Sequence, residues 1–428
     1  MSQFQFLFEA TGRFGYNSRQ SSRDSHPGKA SRSFTDLHEK TQIQVTHENL
    51  MRSARRIVIK VGTTTVTGSE GELCRERVEP IASSIADVMK AGRQIVLVSS
   101  GAVGLGRGWL GLHKSRLEDL ATKQACAAVG QNLLMDAYKD LFSRWDIKIA
   151  QVLLTEDDFS NWRRYSNVRQ TMEKLIGFGV LPIVNENDTV STAELESVSD
   201  GARSVAFSDN DRLAALVMSG LEADALILLT NVDGLLRQPT VAENESAHVI
   251  PVVAEITPEL KALAAGPSAS GRGGMRTKLE AVEIAMNCGA AAVIANGGRP
   301  DTMPRLFQGE SVGTAFLPAK RMRGKRRWIA YAADVRGRVV VDAGAHRAIT
   351  QRKASLLASG VVRVENQFAP MDVVSIIDSE GREFARGIAN CASEEAEKYS
   401  GKRGRRVDGA RPAPVLVTRD NIVLLQKA

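Results

Sequence analysis

Six short runs of β-branched and aliphatic residues set the tightest limit on what this chain can fold into: RIVIKV (56–61), QIVLVSS (94–100), KIAQVLL (148–154), VLPIV (180–184), ALILLT (225–230) and AAVIA (291–295). Each is apolar almost throughout rather than alternating, and stretches long enough for helices separate them. A strand covered on both faces reads this way, and parallel strands joined by helical crossovers give that cover. The spacing predicts an α/β domain over residues 51–319, a three-layer αβα sandwich around a mostly parallel sheet.

The pattern changes beyond residue 319. KRMRGKRR (320–327) reads as a solvated basic linker. After it come the shorter runs RVVVD (338–342), VVRVE (361–365), DVVSIID (372–378) and PVLVT (414–418), with one helical segment near residues 345–351. Short strands with glycine-rich turns predict a small, mostly-β, barrel-like domain over 328–428. At the other end, residues 1–50 are rich in Ser, Arg, Gln and His and lack apolar periodicity, so they read as a disordered extension. Met51 is an alternative start of the native protein.

Composition then removes several kinds of chemistry. Hydrophobic residues make up 43% and charged residues 25% of the 428, which is the balance of a globular protein with a sizeable core. No run reaches the roughly 20 apolar residues that cross a bilayer. Cys74, Cys126, Cys288 and Cys391 are scattered, without zinc or redox spacing, and the six histidines are equally dispersed. That argues against a histidine or thiolate metal site, against a histidine-activated nucleophile, and for a reduced, cytoplasmic chain. The net charge of +7 suits an anionic partner but speaks mainly to solubility. Lysines, carboxylates and glycine-lined backbone are left to do the chemistry.

In open parallel sheets ligands bind beyond the carboxyl ends of the strands. At the end of the first run stands Lys60, followed by VGTTT, a candidate phosphate clamp. After the second comes SSGAVGLGRG (99–108), where Gly101, Gly104 and Gly106 let backbone amides approach an anion. The segment matches neither the Gly-Lys-Ser/Thr phosphate loop nor the spacing of the dinucleotide fingerprint, which argues against an ordinary phosphate-loop ATPase and against a dehydrogenase. The fourth run leads into NENDTVST (185–192), and SDND (208–211) opens a helix. Asn185, Asp188, Asp209, Asn210 and Asp211 thus supply carboxylates and amides for a substrate ammonium group or for organising magnesium or lysines. Alone, SDND reads equally well as a helix N-cap. The fifth run ends in TNVDGL (230–235), and GRGGMRTKLEA (271–281) leads into a helix starting with Thr277 and Lys278, which would present amides, a hydroxyl and an ammonium to phosphates.

Taken together and in this order, these segments resemble the amino-acid kinase family, in the branch that phosphorylates free L-glutamate. The likeness runs from about residue 55 to the C-terminus, and the second domain resembles a PUA domain. Two features depart from the family pattern: a longer segment over 194–207, and Ser208 where a glycine precedes the Asp-Asn-Asp triplet.

The resemblance implies ATP and Mg2+ as cofactors, L-glutamyl 5-phosphate as product, and a first step of proline biosynthesis. Lys60 and Lys278 would flank the transferring phosphoryl group, with Asp211 holding both. Ser100, Asp188 and Asn210 would bind glutamate. Lys60, Thr230, Asn231, Arg272, Gly273, Gly274, Met275, Arg276, Thr277 and Lys278 would bind ATP, and no residue is assigned to metal. Further expectations are proline as a feedback inhibitor, a functional link to glutamyl phosphate reductase, a homo-oligomeric assembly, and catalysis that needs no residue beyond 320. Two rivals stand beside this reading. One is a family member acting on acetylglutamate or aspartate. The other is RNA binding through the PUA-like domain and the basic stretches 320–327 and 402–406, disfavoured because few aromatics are interleaved there for base stacking.

Overall fold

The computed structural model describes residues 47–112, 119–191, 210–237, 249–264, 274–319, 322, 324–400 and 413–425. Eight strands form the large sheet: β1 (Arg56–Val61), β2 (Gln94–Ser99), β3 (Ile149–Leu154), β4 (Leu181–Glu186), β5 (Ala225–Thr230), β6 (Val252–Val253), β7 (Ala291–Asn296) and β8 (Thr314–Phe316). Their order is β3-β4-β2-β1-β5-β7-β8-β6. Every neighbouring pair is parallel except β7 with β8. The six apolar runs are six of these strands. The last two strands of that order, β8 and β6, have three and two residues and are too short to leave such a run.

Alternation along the strands shows why they are apolar throughout. Ile57, Ile59, Ile95, Leu97, Ile183 and Ile227 face one core, with α1 (Arg75–Lys90), α2 (Ala102–Trp109) and α3 (Leu120–Ser143) against it. Val58, Val96, Val98, Val184, Leu226 and Leu228 face the other, where α4 (Trp162–Gly177), α5 (Asn210–Gly220) and α6 (Met275–Asn287) pack. The chain runs from β1 to β2 on one side, then returns to place β5 on the other. This is the reversal of strand order at which α/β sheets open a ligand crevice.

The folded chain starts earlier than composition suggests. Residues 47–53 form a helix in which His47 and Met51 are buried, and His47 Nε2–H donates to the Pro251 carbonyl at 3.1 Å. Their polar composition hides this because the few apolar residues all turn inward.

The C-terminal region contains β9 (Val335–Val341), α7 (Ala343–Arg352), β10 (Leu356–Leu357), β11 (Val361–Glu365), β12 (Val373–Ile377), β13 (Glu383–Ile388), α8 (Ser393–Tyr399), β14 (Val415–Val417) and β15 (Ile422–Leu424). They form a five-stranded sheet, β11-β9-β12-β13-β15, and the pair β10-β14 around a separate core of Val339, Val341, Ile349, Val374, Ile376 and Leu416. The second helix, α8, is a correction to the expected single helix. Its sequence, SEEAEKY, buries only Ser393 and Ala396, too little to leave an amphipathic pattern.

The expected solvated linker is the larger correction. Lys325–Arg327 make a helical turn that continues into a π-helical turn, Trp328–Ala332. Arg327 is buried and its guanidinium lies 2.6 Å from Glu222. Trp328 Nε1–H donates to the Phe159 carbonyl at 2.8 Å, and Ile329 joins the core that contains Leu213. Arg212 donates to the Tyr331 carbonyl at 3.2 Å, while Arg386 from β13 donates to the Ala330 carbonyl at 2.8 Å. This turn therefore ties α5 to the C-terminal domain. Positions 320, 321 and 323, the segment 192–209 and the stretch 402–406 lie outside the described residues.

Candidate active site

Lys60 is on the same side of β1 as Val58, so its side chain leaves the carboxyl end of the central strand toward α5. Asp211 is the second residue of α5 and is fully buried. Lys278 is the fourth residue of α6. The three converge: Lys60 Nζ is 2.8 Å from Asp211 Oδ1, and Lys278 Nζ is 3.0 Å from Asp211 Oδ2. The Thr277 hydroxyl is 3.4 Å from the same Oδ2 and 3.0 Å from the Gly274 carbonyl. Burying charge is costly unless partners surround it. A carboxylate gripping two ammonium groups is a rigid way to hold two cations side by side at the strand ends.

Next to this trio lies a chain of amides. Asn210, the first residue of α5, points Nδ2 at the Ser100 hydroxyl (2.7 Å), Asn185 Oδ1 (3.0 Å) and the Ser99 carbonyl (3.1 Å). Asn185 Oδ1 also accepts from the Glu186 amide at 2.9 Å, and Asn185 Nδ2 donates to Gln131 Oε1 at 2.9 Å. Asp188 is half-buried in the turn that follows β4, where the Val190 amide bonds back to the Asn187 carbonyl. Behind β2, Ser99 Oγ and the Tyr138 hydroxyl are 2.8 Å apart. Burial pushes the Tyr138 phenol up to about 12, with the Ser99 bond opposing, so it remains neutral.

The glycines after β2 divide in purpose. Gly101 has φ of 104°, a left-handed conformation that only glycine adopts freely, and it turns the chain from β2 into α2. Gly106 does not serve an anion: a Cβ there would lie 1.8 Å from the Cys126 carbonyl oxygen, so it lets α3 approach α2. Gly104 lies against Thr67.

Thr230 is buried at the end of β5 and its hydroxyl donates to Asn231 Oδ1 at 3.3 Å. Asp233 is held by Asn296 at 2.7 Å and Arg299 at 2.5 Å, two contacts that the sequence did not announce. Helix α6 starts at Met275, two residues before the expected Thr277, because extended Gly274 caps it. Met275 packs on the core, and Arg276 pairs with Glu280 on the exposed face at 3.1 Å. Arg272 and Gly273 lie outside the described residues. Thus Lys60, Asp211, Thr277 and Lys278 meet directly, as do Ser100 and Asn210, whereas Arg276 is turned outward.

A carboxylate buried between two lysines thus stands at the switch point of the αβα sheet. The model of the amino acid kinase family matches residues 55–296, and that of the PUA domain matches residues 337–410. Glutamate 5-kinase of Moorella thermoacetica is 43% identical over 88% of this chain and 97% of its own length. Glutamate 5-kinase of Caldanaerobacter subterraneus subsp. tengcongensis is 41% identical over 87% of this chain and 98% of its own. The chain belongs to the amino-acid kinase family, in its glutamate 5-kinase branch.

Proposed function

We propose that this enzyme transfers the terminal phosphoryl group of ATP to the side-chain carboxylate of L-glutamate, giving L-glutamyl 5-phosphate, the first step of proline biosynthesis. The observation that carries the chemistry is Asp211, fully buried between Lys60 and Lys278 at 2.8 and 3.0 Å. Phosphoryl transfer asks a protein mainly to align donor with acceptor and to neutralise charge on the transferred group. Lys60, from the central strand, and Lys278, from α6, approach that group from two sides, and Asp211 fixes their spacing. The acceptor carboxylate is already ionised at neutral pH, so no general base is required.

Ser100, Asn210 and Asp188 form the glutamate subsite, with Asp188 facing the substrate ammonium group. Thr230, Asn231 and residues 272–278 form the ATP subsite. Among the described residues no three His, Cys, Asp or Glu side chains stand together. Asp211 is engaged by lysines, which suits Mg2+ carried in on the nucleotide phosphates with water completing its shell. When bound there, the ion neutralises phosphate charge.

The product is an acyl phosphate, which hydrolyses readily. That chemistry favours rapid hand-over to a reductase and control of this step by the end product, proline. Among the described residues no helix is long and apolar enough to cross a membrane, and the four cysteines are free thiols. Both facts suit a cytoplasmic reaction. A coupled ADP-release assay across glutamate, N-acetylglutamate, aspartate and carbamate tests the reading. Turnover with glutamate alone is expected, and faster turnover with any of the other three would overturn it.

A further inference from the structure

Gln131, on α3, was not among the residues singled out from the sequence, and the structure gives it an unusual position. The residue is 8% exposed, and among the described residues Nε2 has no hydrogen-bond partner. Its orientation is fixed by groups whose polarity cannot be reversed. The Ser99 carbonyl can only accept, so Asn210 turns Nδ2 toward it at 3.1 Å. The Glu186 backbone amide can only donate, so Asn185 presents Oδ1 to it at 2.9 Å, and the same Oδ1 accepts from Asn210. Asn185 is then left with Nδ2 facing Gln131, which must answer with Oε1. Swapping the ends of the Gln131 amide would set two donors against each other. The chain of amides therefore ends in a buried N–H2 group without an acceptor, an arrangement that costs stability unless a ligand completes it.

The helix carrying this group cannot drift away. A Cβ on the adjacent Gly130 would lie 1.7 Å from the Ala102 carbonyl oxygen, so α3 is seated directly on the segment that follows Ser100. Asn185, the partner of Gln131, is the next-to-last residue of β4, two strands from β1 in the order β4-β2-β1. At about 4.8 Å per strand, that is about 10 Å from Lys60. The reacting carboxylate must face the lysines, which leaves the far end of a bound amino acid toward β4.

We infer that Gln131 Nε2 donates to the α-carboxylate of the substrate and so selects substrates in which that carboxylate is free. This inference rests on the glutamate reading of the site. Gln131→Glu is the decisive variant. It keeps an acceptor for Asn185 but puts a carboxylate oxygen where the donor stood. Gln131→Met removes both functions. Kinetics at mildly alkaline pH, where the introduced carboxyl is ionised, should show the KM for glutamate raised about 10- to 100-fold in Gln131→Glu, with a smaller rise in Gln131→Met. The KM for ATP should stay unchanged in both. A purely structural role, support of Asn185, predicts the reverse order: Gln131→Glu close to wild type and Gln131→Met impaired. That order, or an unchanged KM for glutamate in both folded variants, overturns the inference. If Gln131→Glu does not fold, Gln131→Met decides by the split between the two KM values. A wild-type protein without glutamate-dependent ADP release overturns the functional reading and this inference with it, so the two failures are distinguishable.

Discussion

Two places in this molecule bury basic side chains, and they do so to different ends. At the carboxyl end of β1, Lys60 and Lys278 converge on the fully buried Asp211. At the junction with the C-terminal domain, buried Arg327 meets Glu222, which is 36% exposed, while the next residue, Trp328, is packed into the core. In the first set Lys60 projects from the end of β1, and Asp211 and Lys278 from the first turns of α5 and α6, where strand order reverses. The second lies under a π-helical turn that ties α5 to the C-terminal domain. Burial of a cation is thus not a mark of function by itself. Its place relative to the strand ends separates a site from a brace.

The comparison predicts opposite phenotypes. The largest effect belongs to the strand ends: Lys60→Ala and Lys278→Ala should each lower turnover by about 100-fold or more while the melting temperature stays near wild type, because a contact specific to the transition state is lost. Steady-state kinetics beside a thermal melt would check this, and near-normal turnover in either variant removes that lysine from the mechanism.

A smaller effect is expected at the proposed substrate subsite. Asp188→Ala should raise the KM for glutamate about 10- to 100-fold and leave that for ATP unchanged, as when a charged hydrogen bond to the substrate is lost. Equal impairment toward both substrates would show that Asp188 does another job.

At the junction the signs reverse. Arg327→Met should cost about 1.5–3 kcal/mol of stability, the range for a hydrogen bond to a charged group, with kcat/KM for glutamate unchanged. Denaturant titration would measure the loss. A drop in kcat/KM without loss of stability would make Arg327 part of the catalytic apparatus. For the same reason a chain ending at residue 319 should melt well below one ending at residue 333, since only the longer retains the Trp328 bond to Phe159.

The smallest effect concerns the amino end. Removing residues 1–46 should leave the melting temperature unchanged, whereas removing 1–50 takes away buried His47 and should lower it. Burial holds the proton affinity of His47 below the ordinary histidine value, against an opposing bond to the Pro251 carbonyl. The unfolded chain therefore takes up a proton that the folded chain refuses. This contribution to stability is full above about pH 6.5 and is lost as pH falls below it. His47→Gln should flatten that part of the stability profile, and an unchanged slope would refute the assignment.

How much was legible in the sequence follows the same division. The six apolar runs are strands because each must satisfy two cores at once, a demand that reaches every residue and cannot be hidden. Lys60 could be singled out because it lies at the end of such a run, and Asp211 and Lys278 because each stands in the first turn of a helix that follows a loop. The junction was misread because Arg327 was counted as charge, although the apolar WIA that follows it announces burial. Gln131 gave no local signal: it lies in an ordinary helix, and only the backbone polarity of Ser99 and Glu186, distant in sequence, gives its amide a direction. The early glycines were legible in kind but not in purpose, since Gly106 reads alike as a phosphate neighbour and as a helix-packing contact.

The central claim is that the crevice phosphorylates the side-chain carboxylate of free glutamate, and the most direct measurement traps the product. With hydroxylamine present, an acyl phosphate is converted to a hydroxamate as phosphate leaves. Wild-type protein with ATP, Mg2+ and L-glutamate should yield γ-glutamyl hydroxamate in step with ADP, and Lys278→Ala should yield almost none. Release of ADP without hydroxamate, or hydroxamate at the α-carboxyl, would contradict the account.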